Sequence, residues 1–234
     1  MLQSLYKRKI LSNILNMKKK ITLIIVDFQK DFSNVIGKLY VAGAENARQA
    51  IIAFIKKNAE FIGEVIFTVD WHTANHCSFK SNGGIWPAHC VQYSEGAGVD
   101  DEILHLCIEL GINMKFFIKG NDDSVEEYGA FEKMGTIMTI GNDHYSISAN
   151  NHKNDCNITF ESDKVVICGI AGDYCVKNTI ANLIKYKSPT GLTLDVNVLL
   201  DGIASIDDGT TIKEYCKENS LPIVEAKEYE YLKG

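Results

Sequence analysis

Ile21-Thr-Leu-Ile-Ile-Val26 is an unbroken β-rich apolar run that stops at an acid, Asp27. A run without polar alternation fits a strand buried on both faces, as in parallel sheets covered by helices. The pattern returns down the chain. Glu64-Val-Ile-Phe-Thr-Val69 stops at Asp70, Met114-Lys-Phe-Phe-Ile118 at Lys119, and Lys164-Val-Val-Ile-Cys168 at Gly169. Val196-Asn-Val-Leu-Leu200 and Pro222-Ile-Val224 supply two further strands. Helical spacing fills the gaps: 44–58 with Ala47, Ile51, Ile52 and Ile55 on one face, and 100–110 with Ile103, Leu104, Cys107 and Leu110 inward. A helix from about Asp173 to Lys185 and a short one at 209–219 complete the set. Strands alternating with helices predict an α/β fold, a three-layer α/β/α arrangement around a central, mostly parallel sheet of about six strands. In such sheets ligands bind beyond the carboxyl ends of the strands. Strand boundaries alone therefore bring Asp27, Asp70, Lys119 and the Gly169 loop to one rim.

The 234 residues, 46% of them hydrophobic and only 3 of them proline, suit one packed domain, read here as 18–230. No apolar run approaches the roughly 20 residues of a membrane span. The net charge of −6 is uneven: six basic groups and no acid lie in residues 1–20. Removing those six from 24 leaves 18 basic against 30 acidic residues, −12 on the body, which disfavours nucleic acid. Residues 1–17 are read as an N-terminal extension, disordered or a mis-assigned start, with Met17 as the expected true beginning. Residues 135–162 break the rhythm. Thr136-Ile-Met-Thr-Ile140 and Tyr145-Ser-Ile-Ser148 resemble a hairpin, read as an insertion, and His144 and His152 within it are read as solvated loop histidines.

The 7 cysteines (Cys77, Cys90, Cys107, Cys156, Cys168, Cys175 and Cys216) are odd in number. They are expected to be free thiols in a reducing, cytoplasmic setting, most of them buried hydrophobes. Cys175 stands apart, because it follows a strand and the Gly169-Ile-Ala-Gly-Asp-Tyr turn and opens a helix. A helix N-terminus favours thiolate, with Asp173 as the expected N-cap. Asp27 offers a carboxylate base, and Lys119 a cation to keep it ionised. Asp70-Trp-His72 places two ligand-type side chains on one side of a strand end, and His89 in Trp86-Pro-Ala-His89 can reach back to them. Three N/O ligands with open positions describe a catalytic or substrate-binding metal site. Each pair taken alone is also an ordinary hydrogen-bonded surface group.

Five segments together resemble a known family: Leu23–Phe32, Asp70–Phe79, Trp86–Cys90, Ile118–Gly120 and Gly169–Val176. They are similar to the isochorismatase-like cysteine hydrolases, and within these to the nicotinamidase/pyrazinamidase branch. That resemblance implies hydrolysis of nicotinamide to nicotinate and ammonia, serving NAD salvage, with pyrazinamide as a further substrate. It implies a catalytic triad of Asp27, Lys119 and Cys175, and an oxyanion hole from the N–H groups of Ala171 and Cys175. It also implies a cis Ile170–Ala171 bond. Asp70, His72 and His89 become ligands of one divalent ion, Zn2+ first and Fe2+ or Mn2+ as alternatives, with His76 matching an extra ligand of some members. Phe32 and Trp86 match the residues that sandwich the pyridine ring. Gly172 departs from the family pattern, where Thr is more usual, and the 135–162 segment has no counterpart in it. The expected partner is a small molecule, with no nucleic acid and no membrane, and a homo-oligomer is open. Two other readings stand beside this one: another carbamoyl or amide hydrolase of the superfamily, and a non-catalytic binding module on the same fold.

Overall fold

The computed structural model describes residues 21–132, 136–141, 145–149, 158–186 and 193–231. The N-terminal extension, Met17, His144, His152 and Cys156 lie outside them. Among the described residues eight strands form one sheet: β1 (Ile21–Val26), β2 (Ile62–Asp70), β3 (Asn113–Lys119), β4 (Thr136–Ile140), β5 (Tyr145–Ala149), β6 (Lys164–Ile170), β7 (Asp195–Ala204) and β8 (Ile223–Val224). Their order is β5-β4-β3-β2-β1-β6-β7-β8. β1, β2, β3, β6, β7 and β8 run parallel, and these are the strands legible in the sequence. The hairpin of β4 and β5 adds two antiparallel strands at the edge beside β3, so it extends the sheet.

The helices are α1 (Lys30–Ser33), α2 (Ala44–Asn58), α3 (Asp101–Glu109), α4 (Lys177–Lys185) and α5 (Thr210–Glu218). Side chains alternate across a strand, which splits the core into two layers. Leu23, Ile25, Val65 and Phe67 pack with Ile51, Phe54 and Ile55 of α2 and Ile103 and Cys107 of α3. Ile24, Val26 and Ile66 pack on the other face with Ile180 and Leu183 of α4 and Ile212 and Cys216 of α5. Leu110, expected inward, is 42% exposed, and Leu106 fills the inward position. The reason is that α3 ends at Glu109, leaving Leu110 as its C-cap. No helix among the described residues is long and apolar enough to cross a membrane.

Successive strands proceed outward from β1 to one side as β2 and β3, and to the other as β6, β7 and β8. The switch therefore lies between β1 and β6, where a crevice opens at the carboxyl ends. In register, Val26 sits opposite Thr68 and Gly169, and Asp70 opposite Lys119. The side chains that follow these positions share one rim.

Candidate active site

At that rim Asp27 and Lys119 are fully or almost fully buried. Lys119 Nζ lies 2.9 Å from Asp27 Oδ2, donates to Asp70 Oδ1, and donates to the Glu127 carbonyl at 3.1 Å. Thr68 Oγ1 donates to the other oxygen of Asp27 at 2.5 Å. One cation thus sits between two buried carboxylates. Burial opposes the charge on Lys119, but Asp27 and Asp70 outweigh it and push its pKa well up, so it stays protonated. Burial raises the Asp27 carboxyl above its usual range, against the pull of Lys119 and the Thr68 hydroxyl. Burial also opposes ionisation of Asp70, yet Lys119 and His72 overcome it and hold that carboxyl well below the ordinary value. Two neighbouring acids are thus shifted in opposite directions, Asp27 up and Asp70 down.

Cys175 is buried, with Sγ, an Asp27 oxygen and an Asp70 oxygen all within 4.8 Å of one another. Burial raises its thiol well above the usual value, and Lys119 offsets this only in part. The resting group is a neutral thiol, which differs from the thiolate expected of a helix start. Gly172–Val176 is a π-helical turn ahead of α4, and Asp173 does not cap it. The Asp173 carboxylate instead accepts from the N–H groups of Ile206 and Asp207, tying the turn to the loop after β7. The buried Cys90, Cys107 and Cys168 thiols are raised as well. Among these thiols, Cys175 is set apart by lining the cavity over the rim with its Sγ within 4.8 Å of Asp27 and Asp70 oxygens. The six described cysteines are free. The Ile170–Ala171 bond is cis.

Ligand atoms of Asp70, His72 and His89 lie within 4.8 Å of one another, and all three residues are buried. His72 Nδ1 contacts the Gly120 carbonyl at 2.9 Å and His89 Nδ1 contacts the Pro87 carbonyl at 2.8 Å. A carbonyl can only accept, so each Nδ1 carries a proton, and in the neutral ring each Nε2 then presents a lone pair. His72 Nε2 is buried without a hydrogen-bond partner, 3.5 Å from Asp70 Oδ2. An orphaned lone pair beside an ionised carboxylate and a second imidazole is the donor set that a divalent cation satisfies, so the residues fit a metal. Gly120 is required here: its φ is +71°, and a Cβ on it would lie 2.6 Å from His72 Cε1. His76 stacks beside His72 with centroids 4.0 Å apart, but its nitrogens contact Ser78 Oγ at 2.7 Å and the Val125 carbonyl at 3.1 Å. The structure does not bring His76 into the ligand cluster.

A small cavity of about 30 Å³ opens over these groups and touches Phe32, Asp70, Trp86, His89, Ala171 and Cys175 together. The Trp86 indole donates to Tyr128 Oη at 3.1 Å, and its ring meets Tyr174 edge-on at 5.2 Å. Thr68, Gln29 and Tyr128 were not singled out from the sequence. Gln29 accepts from the Asp70 N–H and donates to the Asp70 carbonyl, both at 2.8 Å, acting as a strand partner where β1 has ended. A polar residue two positions before Asp70 in an apolar strand was a usable signal for Thr68, since i and i+2 share a face.

No family model matches the chain. It is similar to the nicotinamidase of Escherichia coli, 30% identical over 203 residues, covering 79% of this chain and 83% of that one. Among solved structures it resembles the yeast nicotinamidase bound to the inhibitor nicotinaldehyde, with a TM-score of 0.68, 27% identity, and 87% and 99% of the two chains covered. It also resembles an L. infantum protein in complex with nicotinate, with a TM-score of 0.65, 26% identity, and coverage of 90% and 94%.

Proposed function

The chain belongs to the nicotinamidase family, amidohydrolases on the isochorismatase-like α/β fold, and from that premise we propose how its own residues split nicotinamide into nicotinate and ammonia. One observation supports the reading most. A single cavity touches the buried Cys175 thiol, two of the three candidate metal ligands and two aromatic walls, and an oxygen of Asp27, the acid that can take the thiol proton, lies within 4.8 Å of Sγ.

Phe32 and Trp86 enclose the pyridine ring. Asp70, His72 and His89 would hold a divalent cation, zinc by the chemistry of one carboxylate and two imidazoles, and such an ion supplies a Lewis-acid contact for the ring nitrogen. Asp27 accepts the Cys175 proton as sulfur bonds to the carboxamide carbon. A raised carboxyl pKa suits this role, because it makes Asp27 a stronger proton acceptor than an ordinary carboxylate. The N–H groups of Ala171 and Cys175 stabilise the carbonyl oxygen as it gains charge, each worth about 3–4 kcal/mol in comparable sites. Asp27 then protonates the departing nitrogen, the C–N bond breaks, and ammonia leaves a thioester on Cys175. Asp27 takes a proton from water as its oxygen attacks the thioester. The C–S bond breaks, nicotinate is released, and Cys175 recovers its proton. Lys119 keeps its charge throughout and holds Asp27 and Asp70 in place. Free thiols support a reducing cytoplasm as the setting, and nicotinate release supports a place in NAD salvage.

The carbamoyl-hydrolase reading needs no ring-nitrogen contact, so benzamide separates the two. It has the same amide and ring shape without the nitrogen. Metal-loaded protein is expected to prefer nicotinamide in kcat/KM by at least about a hundredfold, each factor of ten being about 1.4 kcal/mol of contact. Equal rates on the two would reject the reading.

A further inference from the structure

Asp31 is a buried acid that the reaction above does not use. Its carboxylate is taken up by backbone donors from two separate segments: the Cys90 N–H at 2.7 Å on Oδ2 and the Lys38 N–H at 3.0 Å on Oδ1. Gly96 packs flat on it, since a Cβ there would lie 2.2–2.3 Å from the carboxylate atoms. Asp31 also accepts the Leu39 N–H on its backbone carbonyl at 3.1 Å, and its neighbour Phe32 accepts the Val41 N–H at 2.9 Å. Burying a carboxylate is costly unless its oxygens are satisfied.

What Asp31 holds is informative. Cys90 follows His89 and takes a φ of +45°, a left-handed conformation costly for a residue with a Cβ. The Cys90 carbonyl accepts the His72 N–H at 3.1 Å. The His89–Cys90 segment is therefore clamped between the strand-end backbone at His72 on one side and Asp31 on the other. The same carboxylate fixes Lys38, next to the cavity wall formed by Leu39 and Val41, and Phe32 is the adjacent residue on its own helix.

We propose that Asp31 is a positioning residue which, through the Cys90 and Lys38 amides, holds His89 at the metal site and the apolar wall of the ring pocket in one register. This rests on the metal and ring-binding roles given above. Replacing the carboxylate by an amide puts an NH2 against one of the two backbone donors, so one segment is released.

The test uses purified full-length protein and zinc, with affinity measured by competition against a chromogenic chelator. Asp31→Asn is expected to hold zinc about 10–100-fold more weakly, the usual effect of losing a partner that orients a ligand. KM for nicotinamide should rise severalfold while kcat at saturating zinc stays near wild type, because Asp27, Lys119 and Cys175 are untouched. Gly96→Ala, which displaces the carboxylate without removing it, should show the same pattern. Lys38→Ala keeps its backbone donor and should match wild type. Zinc affinity and KM within twofold of wild type, with only the metal-free melting temperature lowered, would reduce Asp31 to a structural role and overturn the proposal. Failure of both variants to fold would overturn it too, by making Asp31 a requirement of the fold itself. His89→Ala separates this from the underlying reading. Zinc lost there but kept by Asp31→Asn sinks only the role of Asp31, whereas zinc held equally by wild type and His89→Ala sinks the metal site and the proposal with it.

Discussion

Replacing Thr68 by Val removes one buried hydroxyl and leaves the strand otherwise intact, since both residues are β-branched and of similar size. That hydroxyl donates to Asp27 Oδ1 at 2.5 Å. No backbone donor is orphaned, because the Asp27 N–H also reaches the Thr68 carbonyl at 3.1 Å. A hydrogen bond to a charged group contributes about 1.5–3 kcal/mol, and it favours only the ionised form of Asp27. At about 1.4 kcal/mol per unit, losing it raises the Asp27 pKa by roughly 1–2 units above a value that burial has already lifted. Asp27 must be ionised to accept the thiol proton, so the acidic limb of the kcat/KM profile for nicotinamide should move to higher pH by about the same amount. Well below the limb the variant should be about 10–100-fold slower than wild type, and above it the gap should narrow. Steady-state ammonia release across the pH range reads this directly. Acidic limbs that coincide within about 0.3 units would refute Asp27 as the titrating base held by Thr68.

Lys119→Ala leaves the Asp27 and Asp70 carboxylates buried together without their cation. It should cost about 3–5 kcal/mol in urea unfolding and move the acidic limb up, and a loss below about 1 kcal/mol would contradict the shared ion pair. Tyr128→Phe removes the acceptor of the Trp86 indole N–H. A net bond of about 0.5–1.5 kcal/mol should appear as a KM rise of up to about tenfold with kcat kept, and a fall in kcat alone would count against ring positioning. Chelated or His89→Ala protein that stays folded should lose its preference for nicotinamide over benzamide, whereas a preserved ratio would show that the cation does not anchor the ring.

The parallel strands and the rim were legible because buried apolar runs end abruptly at Asp27, Asp70 and Lys119, and parallel register carries those ends to one place. Less local features were not. Asp173 satisfies the N–H groups of Ile206 and Asp207, more than thirty positions away, so its proximity to a helix start misled. The state of Cys175 depends on its burial among side chains from three strands, which helix position alone does not report. The hairpin of β4 and β5 read as a hairpin, but nothing in its pattern told that its partner was the edge of β3. Gln29 and Asp31 act through backbone groups of distant residues, and backbone groups leave no trace in sequence.

The most direct measurement is product formation from nicotinamide by the metal-loaded wild-type protein, with Cys175→Ala beside it and the folded state of both checked by thermal melting. The account predicts nicotinate and ammonia in equal amounts from wild type and less than about a hundredth of that rate from the variant, the size of loss expected when a nucleophile is removed. No ammonia from wild type, or substantial turnover by folded Cys175→Ala, would contradict it.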